Sequence, residues 1–409
     1  MLFRLAWRNI WRQRRRTLIT LTSISLGLAF ALFFVALGEG VYEQLIYDVA
    51  RMQSGHITLE HQEYRDAPAI DLSIKVSANL RKKLAALPGV EKTKVLILGQ
   101  GVARSGSGAI GVGVMGVEPS IEKTVSPIAR RLVSGDYLED TDTSKILVGR
   151  KLAKRLHLDI GKKIVLTTNH VEGSIVEDLF RVKGIFETGS DEVDGYLIQA
   201  PLEFVRKLYG LPEDGVTQVA ILLDDRGKIP QLLEQIPHLT GDKQTAVLPW
   251  WEVMSSIASY IRLDKASNHI FQALLLFLIL FTIFNTILMS VLERKQEFAV
   301  SLAVGTPPRF LQVQVLVESA LIGLIGVGVG ILLGGLASHA GRVYGIDLTG
   351  IFSGDDLDVS GFAISLVMRP FLTKEMIFEF GGFVFVAILL LSLFPMHRAA
   401  RVPIADTLR

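Results

Sequence analysis

From Ile270 to Leu292 the chain carries no charged side chain, and the run ends at Glu293-Arg294-Lys295. At about 1.5 Å per residue, a helix over this stretch matches the ~30 Å hydrocarbon core of a bilayer. Three successive charges are expensive in lipid, so the span stops there. Apolar sequence resumes at Leu311. Between the two, Glu293–Pro308 predicts a short helix pinned between membrane helices, closed by Gly305 and the pair Pro307-Pro308. Glu293 and Glu297 fall four apart on one helical face, with Phe298, Val300, Leu302 and Ala303 close by. A solvated loop is the plainer alternative.

Two further stretches are apolar enough to span. Residues 17–40 form the first, preceded at 1–16 by an arm with six arginines opposite Leu2, Phe3, Trp7, Ile10 and Trp11. Such an arm reads as an amphipathic helix in the headgroup plane. The apolar run is longer than the ~7–15-residue core of a cleavable signal peptide, so a retained anchor is expected. Residues 377–396 form the fourth span, which is short. The full expectation is spans at 17–40, 266–292, 309–337 and 377–396, a linking helix at 293–308, a loop at 338–376 and a tail at 397–409. Arginines and lysines concentrate in the arm, the turn after Leu292 and the tail, which four crossings place on one side. By the positive-inside rule that side is the cytosol, and residues 41–265 face outward, which in a bacterial inner membrane is the periplasm.

Residues 41–265 mix short β-rich runs with helical patterns. The runs are His56–Glu60, Asp71–Val76, Lys94–Leu98, Ile146–Val148, Lys163–Thr167, Phe180–Phe186 and Val219–Leu223. Helical patterns fall at Ser77–Leu87, Arg150–Leu156, Leu202–Tyr209 and Pro230–Ile236. The fold class is therefore membrane α-helical with four transmembrane helices, plus a large α+β periplasmic domain of two subdomains inserted between helices 1 and 2. Gly99–Gly116 holds seven glycines without a following helix start, which favours a closely packed β-hairpin over a phosphate cradle.

The chain has no cysteine and lacks a GxxxxGK[ST] loop, an HExxH pair and a GxSxG elbow, so no catalytic or metal site is expected. Its net charge of +2, spread among acids, gives no reason to invoke nucleic acid. Gly326, Gly330 and Gly334 recur every four residues, a spacing that lets another helix approach closely. Asn285 and Glu318 lie at similar depth, about 12 and 15 Å along their helices from the charged turn. Two placements are open: the pair hydrogen-bonds within the membrane, or Glu318 is shallow and wet.

The residues Asn285, Ser290-Val291, Glu293-Arg294, Glu297-Phe298, Leu302–Gly305, Val317–Ser319 and the ending Pro403–Arg409 resemble MacB/FtsX-type ABC transporter permeases. Ser134–Asp136, Val148–Ala153 and Phe180–Phe186 resemble that family's periplasmic domain. The resemblance implies a non-catalytic permease subunit working by mechanotransmission. It makes Glu293, Arg294, Glu297, Phe298, Leu302, Gly305 and Pro307 a coupling helix seated on a separate ABC ATPase, present in two copies, which binds the ATP and Mg. It also implies a second permease half, self or paralogue. Ser54–Ile57 and Gly345–Asp347 look most like the lipoprotein-releasing branch, which implies a lipoprotein or lipid substrate and a periplasmic acceptor. On that reading Phe30, Phe33, Phe34 and Leu37 line a substrate cavity; facing lipid is the plainer role. Export of peptides or drugs, and a non-transporting relay to an outer enzyme, stay open beside it.

Overall fold

The computed structural model describes residues 2–12, 14–242, 244–348, 358–359, 362–363 and 367–400. The expected basic ending beyond residue 400 lies outside them. In chain order the elements begin α1 (Leu2–Arg12), α2 (Arg14–Met52), β1 (Ile57–His61), β2 (Ile74–Lys75), α3 (Ala78–Ala85), β3 (Val90–Ser105) and β4 (Gly108–Val117). Next come α4 (Pro119–Val125), β5 (Leu132–Gly135), β6 (Lys145–Gly149), α5 (Arg150–Arg155), β7 (Lys163–Asn169), β8 (Ile175–Phe186), α6 (Asp191–Tyr196) and β9 (Leu197–Pro201). Then follow α7 (Leu202–Tyr209), β10 (Gly215–Val216), β11 (Gln218–Leu223), α8 (Ile229–Thr240), β12 (Thr245–Pro249) and α9 (Trp250–Val253). The chain closes with α10 (Ser255–Glu293), α11 (Lys295–Ala303), α12 (Pro308–Tyr344) and α13 (Lys374–Ala399).

Four helices, α2, α10, α12 and α13, are long and apolar enough to cross a membrane. They extend past the apolar stretches. In the arm, α1 covers Leu2–Arg12, and the described chain is helical again from Arg14, where α2 begins. The stretch from Ser255 is continuous with the second span, and α12 runs on to Tyr344 rather than stopping near residue 337. Helical propensity does not end where hydrophobicity does, so a span's apolar limits understate its helix.

The chain divides into two units. One holds the helices up to Glu43 and from Leu263. Its core joins Ile24, Leu28 and Leu32 of α2 with Ile283 and Ile287 of α10, Val327 of α12, and Val384 and Ile388 of α13. Elsewhere these helices expose large apolar side chains such as Leu263, Ile270, Phe271 and Phe277, the surface expected of segments solvated by lipid. A Cβ at Gly326 would meet Ile24 at 2.7 Å, at Gly330 Leu28 and the Ser25 carbonyl at 3.0 Å, and at Gly334 Ala29 at 3.1 Å. The three glycines therefore seat α12 directly on α2, where any side chain would force the backbones apart.

The other unit, Gln44–Arg262, is α+β. Strands β3, β4, β9, β6, β8 and β7 pair in turn, and β7 pairs back onto β3, closing a six-stranded ring. Closure removes the unpaired edges an open sheet would present. Its interior is packed with Val112, Val114, Ile146, Val148, Ile164, Leu166, Phe180, Val182 and Ile198. The long strand β3 also pairs through its first half with β11, followed by β1 and β12, which extends the sheet beyond the ring. The expected glycine-rich hairpin is β3–β4, with Ile97 to Ser105 paired against Gly116 to Gly108. Its packing explains its composition: a Cβ at Gly99 would collide with the Tyr209 ring, and one at Gly116 would lie 2.8 Å from Val205.

The end of α2 that belongs to this unit is sealed by Lys94. The side chain is almost fully buried; its ammonium donates to the Arg51 carbonyl at 2.7 Å and pairs with Glu122 at 3.1 Å. A cation at a helix C-terminus satisfies carbonyls that have no partner within the helix. Burial pulls the Lys94 pKa down, opposed by the Glu122 carboxylate. His56 is buried as the neutral imidazole, its Nδ1 accepting from the Leu223 amide at 2.9 Å; burial, aided by Arg51, lowers its pKa to about 4.

Candidate functional site

The predicted short helix is α11, and local chemistry sets both its ends. Arg294 breaks α10 from α11. At the other end the Thr306 amide donates to the Ser301 carbonyl and the Gly305 amide to the Leu302 carbonyl, both at 3.0 Å, with Gly305 at φ +97°. This is a Schellman closure, whose left-handed residue is normally glycine. Pro307 then caps α12 and Pro308 opens it, a position where a missing amide hydrogen costs nothing.

Phe298 and Ala299 bury one face of α11 against Val291, Leu311, Val315 and Ala399, with Leu302 partly buried beside them. Around that contact lies a charge network with Glu318 at its centre. Its buried carboxylate accepts from Arg294 Nη1 at 2.7 Å, Asn9 Nδ2 at 2.8 Å and Gln314 Nε2 at 3.2 Å. Arg294 also reaches Glu297 at 3.2 Å and lies over the Phe298 ring. Glu297 in turn pairs with Arg12 at 2.8 Å, and Glu293 with Arg16 at 2.6 Å. One ionised carboxylate with three donors holds α1, the α10–α11 joint and α12 together, because charge-assisted hydrogen bonds strengthen where water is excluded.

This geometry corrects two expectations. Asn285 and Glu318 do not pair, and Glu318 is not wet. On α10 the buried residues Ile283, Ile287 and Val291 recur every four positions. Asn285 sits two residues from the nearest of them, about 200° around the helix, and faces outward. Arg294 and Phe298, expected to meet an ATPase, instead point into the chain and position the helix. Its outward surface consists of Lys295, Gln296, Val300, Ala303 and Val304, followed by Gly305 and Pro307. Val304 is 82% exposed.

The arm residues Asn9, Arg12 and Arg16 were not among the expected site residues. The signal was present: the arm and the turn share a side by the positive-inside rule, and the carboxylates of the turn require cations there. Within α1, Ala6 and Ile10 are buried while Phe3, Trp7 and Trp11 remain exposed. Phe30 and Phe34 stack at 6.5 Å on the outer face of α2, with Phe33 and Leu37 half-buried beside them. Among the described residues no cluster of His, Asp and Glu is arranged to hold a metal.

Residues 17–239 match the MacB-like periplasmic core domain, and residues 270–404 match the FtsX-like permease C-terminal region. The chain is 24% identical to the lipoprotein-releasing system transmembrane protein LolC of Xylella fastidiosa, over 96% of this chain and 93% of that protein. It is 26% identical to the pyoverdine export ATP-binding/permease protein PvdT of Pseudomonas fluorescens, over 81% of this chain and 51% of that one. An ABC transporter permease of Methanocaldococcus jannaschii, MJ1507, is 22% identical over 80% of this chain and 81% of its own length. With more than half its length matched by the core-domain family and the permease region matched as well, the chain belongs to the MacB/FtsX-type ABC transporter permeases.

Proposed function

We propose that this chain is the membrane half of an ATP-driven machine in the bacterial inner membrane, that α11 seats on a separate ATPase, and that its cargo is a lipoprotein or lipid drawn from the outer leaflet. The observation that carries the coupling role is the division of labour on α11. Its carboxylates and aromatic ring are engaged within the chain, while Lys295, Gln296, Val300 and Val304 are left outward on a helix fixed at both ends. An exposed valine pair on a rigid helix is the kind of anchor a groove on a partner takes. ATP and Mg would bind to that partner, in two copies. A second permease half would complete the assembly, since homologous halves associate about a two-fold axis by default. Positive-inside charge sets α11 and the arm toward the cytosol and the α+β unit toward the periplasm, where an acceptor would receive the cargo.

The lipoprotein reading is supported by similarity to LolC over nearly the whole of both chains. Export of a small molecule is the second reading, favoured by the similarity to PvdT, about half of whose length this chain spans. Purification from the native membrane tests the coupling role. The wild-type chain should bring down an ABC ATPase, and Val300→Asp/Val304→Asp should lose it while keeping its thermal stability. Retention of the ATPase by the double variant would sink the assignment of α11. Crosslinking of a triacylated lipoprotein, rather than a soluble small molecule, to Phe30 or Phe34 positions would choose the cargo.

A further inference from the structure

The α+β unit contains a concavity of about 1080 Å³ that none of the foregoing roles uses. This is at the upper end of the ~300–1,000 Å³ typical of small-molecule sites. Part of its floor is the β4 strand of the glycine-rich hairpin, where Gly111, Gly113 and Met115 alternate onto one face. The space over Gly113 is taken by the Tyr196 ring, whereas a Cβ at Gly111 would meet nothing within 4 Å. The floor is therefore bare backbone beside an aromatic wall.

Three tyrosines line the space. Tyr209 donates its hydroxyl to the Gln100 carbonyl at 2.9 Å and Tyr64 to the Leu98 carbonyl at 3.4 Å, and both rings are buried, which leaves Tyr196 as the ring open to the space. Tyr196 is 44% exposed, although it is a large aromatic packed on a strand. The charges around the opening are turned to water: Lys151 pairs with Asp191, and Arg155, Glu192 and Asp71 are exposed. With acids and bases nearly balanced, the opening selects neither sign. Ile70, Ile110 and Tyr196 give the lining apolar surface beside the neutral polar Gln53, Asn169 and His170, a mixture suited to a mainly hydrophobic body.

We infer that this concavity is a binding site for a small apolar ligand, an alkyl chain or an aromatic ring system, seated against Tyr196 and the bare face of β4. The inference is independent of the coupling role of α11: either can fail while the other stands. Two ligand sources share the chemistry, an acyl chain and a ring compound, and two probes separate them.

The full-length protein in nanodiscs is photolabelled with a diazirine derivative of decanoic acid or with a phenyl diazirine, and labelled residues are mapped by mass spectrometry. Label is expected on Tyr196, displaced by excess unlabelled probe compound. Gly111→Leu, which projects into empty space, should lower that labelling about tenfold, as loss of one good apolar contact would. Labelling of Phe271 and Phe277 on α10 in the same sample should not change, which reports an intact membrane part. Gly111→Ala adds one methyl and should keep labelling within about twofold. Labelling by the decanoate probe alone assigns an acyl ligand, by the phenyl probe alone a ring compound, and by both a site for either. Absence of displaceable label at Tyr196, no effect of Gly111→Leu, or equal loss with Gly111→Ala overturns the inference.

Discussion

In the α+β unit, buried polar groups are spread out. Glu60 is held by Arg65 and Gln218, Lys94 by Glu122 and a helix-end carbonyl, and His56 by the Leu223 amide, each at its own place in the sheet. In the helical unit, one carboxylate, Glu318, gathers donors from three segments. The sheet supplies a scaffold ordered by backbone hydrogen bonds between strands, so each polar group there needs only local satisfaction. Helices in lipid satisfy their own backbones and gain no hydrophobic drive toward one another. A shared polar centre and close glycine contacts must fix their arrangement, and losing one member should cost more.

The comparison breaks first at Arg294. Arg294→Met should leave the Glu318 carboxylate buried with only amide donors, destabilising the helical unit by roughly 3–5 kcal/mol. Thermal unfolding in detergent checks this. Arg294→Met/Glu318→Met should be less damaging than the single change, since the orphaned charge is gone; a worse double variant would mean that packing, not charge, is decisive.

In the α+β unit the corresponding probe is pH. His56 has a folded pKa near 4 against about 6.5 when unfolded, so the unfolded state binds the extra proton. Its contribution is whole above pH 6.5 and is lost as pH falls toward 4, by about 3 kcal/mol in all. His56→Gln can still accept from the Leu223 amide and should flatten that part of the stability curve. An unchanged slope would show that the acid sensitivity comes from other groups. The smallest effect is expected where packing alone is tested: Gly330→Ala on the α12–α2 contact should cost about 1–3 kcal/mol by forcing the helices apart. If that loss exceeded the loss at Arg294, the polar centre would not be what orders this unit.

Much of this was legible in the sequence where a single local property decides the structure. Charge-free stretches announced the spans, and the close-packed glycines of Gly99–Gly116 marked a hairpin, although a helix, α4, does begin at Pro119 just past it. Strands β5, β9, β10 and β12 were missed, the first two for identifiable reasons. β5 is four residues and mostly exposed, while β9 is wholly buried, so neither shows an alternating pattern. The inward turn of Arg294 and the outward face of Asn285 were not legible. Depth along a helix follows from counting residues, but facing depends on how the helix is rotated, which neighbouring helices decide.

The closure at Gly305 separates direction from identity. Backbone hydrogen bonds and two prolines set where α11 points, and none of them involves the side chains at 295, 296, 300, 303 or 304. Those positions are free to vary without re-aiming the helix. On the proposed seating of α11 against a motor subunit, a duplicated copy of such a chain could acquire a different motor through a few surface substitutions, with its membrane architecture left intact.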